Sequence, residues 1–512
     1  MRSQDRKNGG NGIFRGILVG ISLLLQIGWL LLIIVKLNRY SAYISLITGL
    51  IAAAAVIRLY SRDTNGAYKM PWIMLIMALP VMGLSLYLMA ELLGSPPWIR
   101  KRVENARKAS EKYLAQESPT EEKLRQTDAS AANQMRCLYR QTGYPVCCNT
   151  ETRYYDFAGK CFEEMKHDLE RAERFIFMEY FIVEDDRAFS EILDILVRKV
   201  RQGVQVRLMY DDVGSIGYVN LKFAEKLNQL GIRCRAFNPA LPVVNLFMNH
   251  RDHRKITVID GKIGYTGGFN LANAYFGYDT PFGTWKDTGL RLEGEAVRSL
   301  SATFLELWNL HSPLPEEDAQ FLSVGHSVPA EGFVQPYGDD PMSGERAAEN
   351  MYLNLISGSR KYVWFMTPYL MITDEMCRAL CLAAEKGVDV RIVTPGIPDK
   401  EIVYRITRSY YAALAKKGVR IYEYTPGFCH GKQCLCDGEI GSIGTSNLDY
   451  RSLYLHFENN VLLYGCPALK EMERDFLETF RQCREVTGEY RGGRRGTLRL
   501  WQCLLRLFAP IL

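Results

Sequence analysis

His253-Arg-Lys255-Ile-Thr-Val-Ile-Asp260 decides how this chain is read, because its pattern returns at His430-Gly-Lys432-Gln-Cys-Leu-Cys-Asp437. Both copies have the form H-x-K-x-x-x-x-D. The first is followed by Gly267-Gly268-Phe-Asn270 and the second by Gly444-Thr445-Ser446-Asn447. A single short motif of this kind is a weak signal; two copies with the same internal spacing and the same Gly-x-x-Asn sequel are a strong one. Each copy runs into strand-like residues. Strand side chains alternate faces with period two, so His253 and Lys255 share a face, as do His430 and Lys432. Asp260 and Asp437, seven residues after their histidines, fall on the opposite face. They complete each motif as scaffold, while histidine and lysine meet the substrate together.

The stretches before the motifs repeat as well. Arg174-Phe-Ile-Phe-Met-Glu-Tyr-Phe-Ile-Val reads as a buried strand, followed by a helix near 189–201 and a strand at Gly203-Val-Gln-Val-Arg-Leu-Met-Tyr. A helix near 221–230 and Gly231-Ile-Arg-Cys-Arg-Ala-Phe then lead to the first motif. The second half repeats this order. Its strands are Lys361-Tyr-Val-Trp-Phe-Met, Gly387-Val-Asp-Val-Arg-Ile-Val and Gly418-Val-Arg-Ile-Tyr-Glu-Tyr, with helices near 375–386 and 410–417 between them. Strands alternating with helices imply an α/β sheet in each half. Two pseudo-symmetric halves, 141–335 and 336–490, would bring both His-Lys faces to one cleft.

Two histidines, two lysines and two asparagines at one point suit a phosphodiester. Histidine serves as nucleophile or acid–base group near neutral pH. Lys255 and Lys432 supply fixed positive charge for the phosphoryl group, and Asn270 and Asn447 add amide donors. Each imidazole needs a partner that sets its tautomer; Asp287 and Glu458 are the candidates. No carboxylate cluster offers a magnesium site, and no His/Cys set has zinc spacing, so neither metal nor cofactor is expected. The other histidines (His167, His250, His311, His326, His456) match no pattern and read as structural, with His250 left open by its closeness to the first motif.

These residues resemble the phospholipase D superfamily, and the chain is similar to its bacterial cardiolipin synthase branch. Met178-Glu-Tyr-Phe-Ile-Val, Leu208-Met-Tyr-Asp-Asp-Val-Gly-Ser215, Thr367-Pro-Tyr-Leu, Tyr422-Glu-Tyr-Thr-Pro-Gly-Phe-Cys-His430 and Asn447-Leu-Asp-Tyr-Arg-Ser-Leu-Tyr-Leu-His-Phe-Glu458 extend the likeness over residues 70–512. The resemblance implies two phospholipase D-type α/β halves and phosphatidyl transfer between two phosphatidylglycerol molecules, giving cardiolipin and glycerol. It also implies His253 as the phosphohistidine nucleophile and His430 as the general acid/base. Two departures stand out. Gly268 and Thr445 occupy positions where many superfamily members have serine, and Gln433, Cys434 and Cys436 make the second motif less aliphatic. Rival readings are a hydrolytic phospholipase D or a transferase using another alcohol, a nuclease, and a catalytically dead scaffold.

Three uncharged runs, 16–35, 40–57 and 70–90, each have about the ~17–25 residues of a membrane-spanning helix. They predict a membrane anchor over 1–95. Lysine and arginine counts flanking the runs tie between the two sides, so the positive-inside rule selects no orientation. All thirteen cysteines lie at or after Cys137. They read as reduced thiols, which places the large domain on the cytoplasmic side of a bacterial cell membrane. The net charge of +6 over 512 residues is too mild to indicate nucleic acid and suits phosphatidylglycerol and other anionic lipids. Nothing in the sequence specifies an oligomeric state. Residues 96–140 read as a charged, solvated helical linker. Leu241-Pro-Val-Val-Asn-Leu-Phe-Met, Tyr275-Phe-Gly-Tyr and Pro281-Phe-Gly-Thr-Trp285 flank the first motif and suit either lipid contact or core packing. The tail, 491–512, alternates basic and apolar residues like an interfacial helix.

Overall fold

The computed structural model describes residues 41–62, 65–92, 97–239, 249–310, 316–492 and 505–507, with Leu24, Ile27, Gly28 and Leu31 as isolated positions before them. Most of the first run and most of the tail lie outside the described residues, as does the apolar stretch 241–248.

Two mixed sheets form the body. The first contains β1 (Thr150–Tyr155), β2 (Phe175–Tyr180), β3 (Gln205–Asp211), β4 (Arg233–Phe237), β5 (Lys255–Ile259), β6 (Ile263–Gly267) and β7 (Gly289–Gly294), in the order β1-β7-β6-β5-β2-β3-β4. The second contains β8 (Phe333–Asp339), β9 (Tyr362–Met366), β10 (Asp389–Pro395), β11 (Arg420–Tyr424), β12 (Gln433–Cys436), β13 (Ile440–Gly444), β14 (Glu458–Tyr464) and β15 (Cys483–Glu485). Its order, from β8, is β8-β14-β13-β12-β9-β10-β11-β15. The two orders correspond strand for strand, and β15 is an added edge. In each sheet three parallel strands (β2, β3, β4; β9, β10, β11) meet an antiparallel motif strand, β5 or β12. This is the repeat read from the sequence.

β2 is buried along its whole length, as a strand covered on both faces must be. The helix Arg187–Arg201 turns Phe189, Ile192, Ile195 and Leu196 inward and Arg198 and Arg201 outward, a helical period of apolar residues. The motif aspartates hold the start of the neighbouring strand. Asp260 accepts from the backbone N–H of Glu173, Arg174 and Phe175 at 2.8, 2.7 and 2.9 Å. Asp437 does the same for Arg360, Lys361 and Tyr362, each at 2.8 Å.

The amino-terminal region differs from three separate spans. Residues 41–57 of the second run lie in α1 (Ser41–Ser61). Run 70–90 is broken into α2 (Gly66–Ala78) and α3 (Pro80–Leu92). Pro80 has no N–H to donate and turns Leu79 away from helical geometry. Trp72 meets Tyr87 at a ring separation of 5.7 Å, so α2 and α3 fold back as a hairpin. At 1.5 Å per residue each arm is about 20 Å long, short of a ~30 Å hydrocarbon core. No helix among the described residues is long and apolar enough to cross a membrane. The hairpin is tied to the second half. Asn65 donates to the Tyr454 hydroxyl at 3.1 Å, and Tyr68 packs edge-on against Tyr450 and Tyr454.

The charged stretch after it is not a solvated rod. It forms α4 (Pro97–Glu111), α5 (Ser118–Thr127) and α6 (Ala129–Thr142), whose Ile99, Val103, Leu124, Met135 and Leu138 join the main core.

Candidate active site

A cleft of about 1220 Å³ is lined by both halves, and His253, His430, Asn270 and Asn447 are in its wall. Each histidine sits just before its motif strand and is fixed by the opposite half. The His253 N–H donates to the carbonyl of Phe457 at 2.9 Å, and the His430 N–H donates to that of Lys286 at 2.7 Å. The carboxylates cross over in the same way. His253 Nδ1 lies 2.9 Å from both carboxylate oxygens of Glu458. His430 Nδ1 lies 2.6 Å from Asp287 Oδ2. With Nδ1–H donating to a carboxylate, Nε2 of His253 keeps its lone pair for chemistry, whereas Lys432 Nζ lies 2.8 and 2.9 Å from Nδ1 and Nε2 of His430. Glu458 also accepts from the Thr445 hydroxyl.

Lys255 and Lys432 lie one layer behind the histidines, fully buried. Each Nζ donates to the carbonyl of its own motif histidine, Lys255 to His253 at 2.6 Å and Lys432 to His430. They lie beneath the site rather than in its wall, which modifies the expectation that histidine and lysine face the substrate side by side. Asn270 is braced at both ends, accepting from the Ile182 N–H at 3.0 Å and donating to the Tyr275 hydroxyl at 2.8 Å. Asn447 Oδ1 is buried and has no hydrogen-bond partner among the described residues. Asp260 and Asp437 are absent from the cleft wall. Grouped with the catalytic residues by motif, they act through the backbone, as period-two alternation requires.

Burial shifts each of these groups towards its neutral form. It holds the Lys255 ammonium down at about 7 and the Lys432 ammonium down at about 8. Burial and then Lys432 bring His430 down to about 4. Burial and then Lys255 push His253 well below the ordinary histidine range. Burial raises Glu458, with Lys255 opposing it. All these shifts favour fewer charges in a low-dielectric cleft, and an entering anion reverses those of the cations.

Residues 165–308 and 352–480 match the family described as cardiolipin synthase, PLD-like domain. The chain belongs to the cardiolipin synthase family. The cardiolipin synthase of Halalkalibacterium halodurans is 33% identical over 89% of this chain and 91% of its own. Cardiolipin synthase 2 of Bacillus cereus is 38% identical over 72% of each chain. A crystal structure of phosphatidylserine synthase from Haemophilus influenzae covers 74% of this chain and 99% of that one, with a TM-score of 0.55 and 14% identity, a likeness of fold. As a member of the cardiolipin synthase family, the chain is a phosphatidyltransferase.

In this family member the serine departures have a local cause. A Cβ on Gly268 would lie 2.1 Å from Asp287 Oδ1, so the carboxylate that orients His430 occupies the space of a side chain. Thr445, at the matching place, instead gives its hydroxyl to Glu458. Gly268→Ala is expected to displace Asp287 and lower kcat about 10–100-fold, the usual scale for losing an orienting partner, with little change in KM. Steady-state kinetics check this.

Set aside as structural, His456 is in fact in the cleft wall, its ring 5.4 Å from that of His253. Arg251 and Arg451, which match no pattern in the sequence, also line the cleft. A signal existed: His456 precedes Glu458 by two, and Trp285 precedes Asp287 by two, so in extended chain each shares a face with its carboxylate. The aromatic stretches divide. Tyr275, Phe282 and Trp285 line the cleft, whereas Phe276 stacks on Phe162 in the core at 4.0 Å.

The lysine values set a pH dependence. A lowered ammonium pKa means the charge is present below it and lost above. In the cardiolipin synthase family member at hand, kcat/KM, which reports the free enzyme, is expected to fall as pH rises from 7 to 9. The bound phosphate restores the charges, so kcat should stay level further into alkali. Profiles that are both flat to pH 10 would show that the lysines do not titrate there.

Proposed function

We propose that the chain transfers a phosphatidyl group from one phosphatidylglycerol to a hydroxyl of a second, forming cardiolipin and releasing glycerol, with no metal. The observation that carries this reading is the crossed pair of imidazole–carboxylate contacts, His253 with Glu458 and His430 with Asp287, on one cleft.

In the first step Nε2 of His253 attacks phosphorus. A P–N bond forms as the P–O bond to glycerol breaks, and His430 gives its proton to the departing oxygen. In the second step His430 takes the proton of the acceptor hydroxyl, whose oxygen attacks phosphorus as the P–N bond breaks. Assigning the nucleophile to His253 follows the family; the crossed carboxylates are alike in the two halves, while Lys432 Nζ contacts the ring of His430. The phosphodiester anion favours the protonated forms of Lys255, Lys432 and the acid histidine, opposing the effect of burial. Asn270 and Asn447 orient the phosphate oxygens.

His253, His456 and Glu458 could converge on a metal ion. The Arg451 Nε 3.2 Å from His456 Nε2 and the buried Lys255 make that corner unfavourable for a divalent cation.

The exposed apolar side chains of α1 and α2, among them Leu46, Leu50, Ile57, Met70, Met74 and Met77, form a surface suited to lipid. We infer that it holds the enzyme on the cytoplasmic face of the cell membrane, next to its substrate.

The test gives purified full-length protein labelled phosphatidylglycerol in mixed micelles with a chelator. Cardiolipin and free glycerol should appear in equal amounts. Phosphatidic acid as the main product would overturn the reading in favour of hydrolysis.

A further inference from the structure

The pseudo-two-fold that relates the catalytic groups fails at one place in the cleft. The Phe457 N–H donates to the carbonyl of Arg251, and the Lys286 N–H donates to that of Phe428, both at 2.9 Å. Since Phe457 and Lys286 serve His253 and His430 alike, Arg251 corresponds to Phe428. Counting back from Glu458 and Asp287, His456 corresponds to Trp285. Counting on from Asn447 and Asn270, Arg451 corresponds to Ala274. All six residues line the cleft. One end therefore carries two guanidinium groups and an imidazole where the other presents an indole, a phenyl ring and a methyl group.

The cationic end is built. Arg251 is buried, with Nε 3.3 Å from Asp211 and Nη2 donating to the Asn238 carbonyl at 2.7 Å. Its Nη1, also buried, has no hydrogen-bond partner among the described residues. A buried donor left in that state is costly, and a ligand oxygen is what would satisfy it. Arg451 donates from Nε to His456 Nε2 at 3.2 Å, which fixes its guanidinium against the cleft wall. Planar guanidinium groups match phosphate oxygens.

The proposed reaction needs such a site. The two motifs provide for one phosphorus atom, the one being transferred. An acceptor phosphatidylglycerol brings a second phosphate, only a three-carbon glycerol unit from the attacking oxygen, into the same cleft. An unpaired anion buried there would be strongly disfavoured. We propose that Arg251, Arg451 and His456 form the subsite for the phosphate of the acceptor phospholipid, and that the aromatic end takes uncharged parts of the lipids. This assignment rests on the phosphatidyl-transfer reading. It makes the broken symmetry the means by which the enzyme selects a phospholipid over glycerol or water as acceptor.

The experiment compares two acceptors on one phosphatidyl-enzyme. Labelled glycerol attacks it to give labelled phosphatidylglycerol, an exchange that uses an acceptor without phosphate. Phosphatidylglycerol attacks it to give cardiolipin. In Arg451→Gln the ratio of cardiolipin formed to glycerol exchanged is expected to fall at least about tenfold, the size of one charge-assisted contact, and Arg451→Lys should recover part of it. A ratio equal to that of wild type in Arg451→Gln would overturn the subsite. Wild-type enzyme offers an independent measure. Monoacylglycerol presents the same diol on a lipid without phosphate, and it should be at least about tenfold poorer than phosphatidylglycerol as acceptor; equal use would also overturn the subsite. Failure of the underlying reading has a different signature, with neither cardiolipin nor exchange in wild type.

Discussion

Replacing His253 by alanine is expected to abolish phosphoryl-enzyme and to lower turnover by on the order of 10⁴–10⁶, the range seen when a nucleophile is removed from a preorganised site. His430→Ala should cost as much with phosphatidylglycerol, whose glycerol leaves only when protonated. The two variants part company with a substrate whose leaving group needs no proton. A nitrophenyl ester of phosphatidic acid should still label His430→Ala at residue 253 and leave His253→Ala unlabelled. Mass spectrometry of the trapped protein reads the site directly. Labelling of His253→Ala at residue 430 would reverse the assignment. This experiment is needed because each imidazole has a carboxylate on Nδ1 and a lysine on its own carbonyl, although Lys432 Nζ also lies 2.8 and 2.9 Å from the two ring nitrogens of His430.

The second large effect is expected at Glu458. This side chain is fully buried, contacts His253 Nδ1 and accepts from Thr445. In the proposed reaction, attack by Nε2 would leave a positive charge on the imidazole, and the carboxylate would stabilise it. Glu458→Gln keeps the shape, removes the charge and offers an amide N–H that favours the wrong tautomer. The drop in kcat should be about 10⁴-fold, as for a carboxylate-to-amide change behind a catalytic histidine elsewhere. KM should change little, because Glu458 does not line the cleft. The melting temperature should hold to within a few degrees. A variant that loses substrate affinity while keeping kcat would show that Glu458 acts on binding instead.

Much of the fold was legible because a repeat is a local signal. Gly-Val-Gln-Val-Arg at 203–207 and Gly-Val-Asp-Val-Arg at 387–391 are visible before any contact is known, and the strand orders match as that repetition implies. Asp260 and Asp437 were separable from His and Lys by strand periodicity alone. The apolar run 70–90 gave no sign of its break into α2 and α3, because hydropathy counts residues and overlooks what Pro80 does to the backbone before it. The charged segment after residue 97 misled in the other direction. Its apolar residues are sparse, yet they fall on the faces that α4, α5 and α6 turn to the core.

By itself the sequence determined the paired motifs, the two-fold order of elements and the chemical types available at each histidine, since all of these are matters of spacing along one chain. Only the tertiary structure decided that each histidine is held by a carboxylate of the other half, that the lysines lie beneath the wall, and that Arg251, Arg451 and His456 gather at one end of the cleft. Those residues are brought together by backbone hydrogen bonds between segments some 200 residues apart, such as Phe457 to Arg251. No periodicity within either segment encodes that pairing, because it is set by how the two sheets pack.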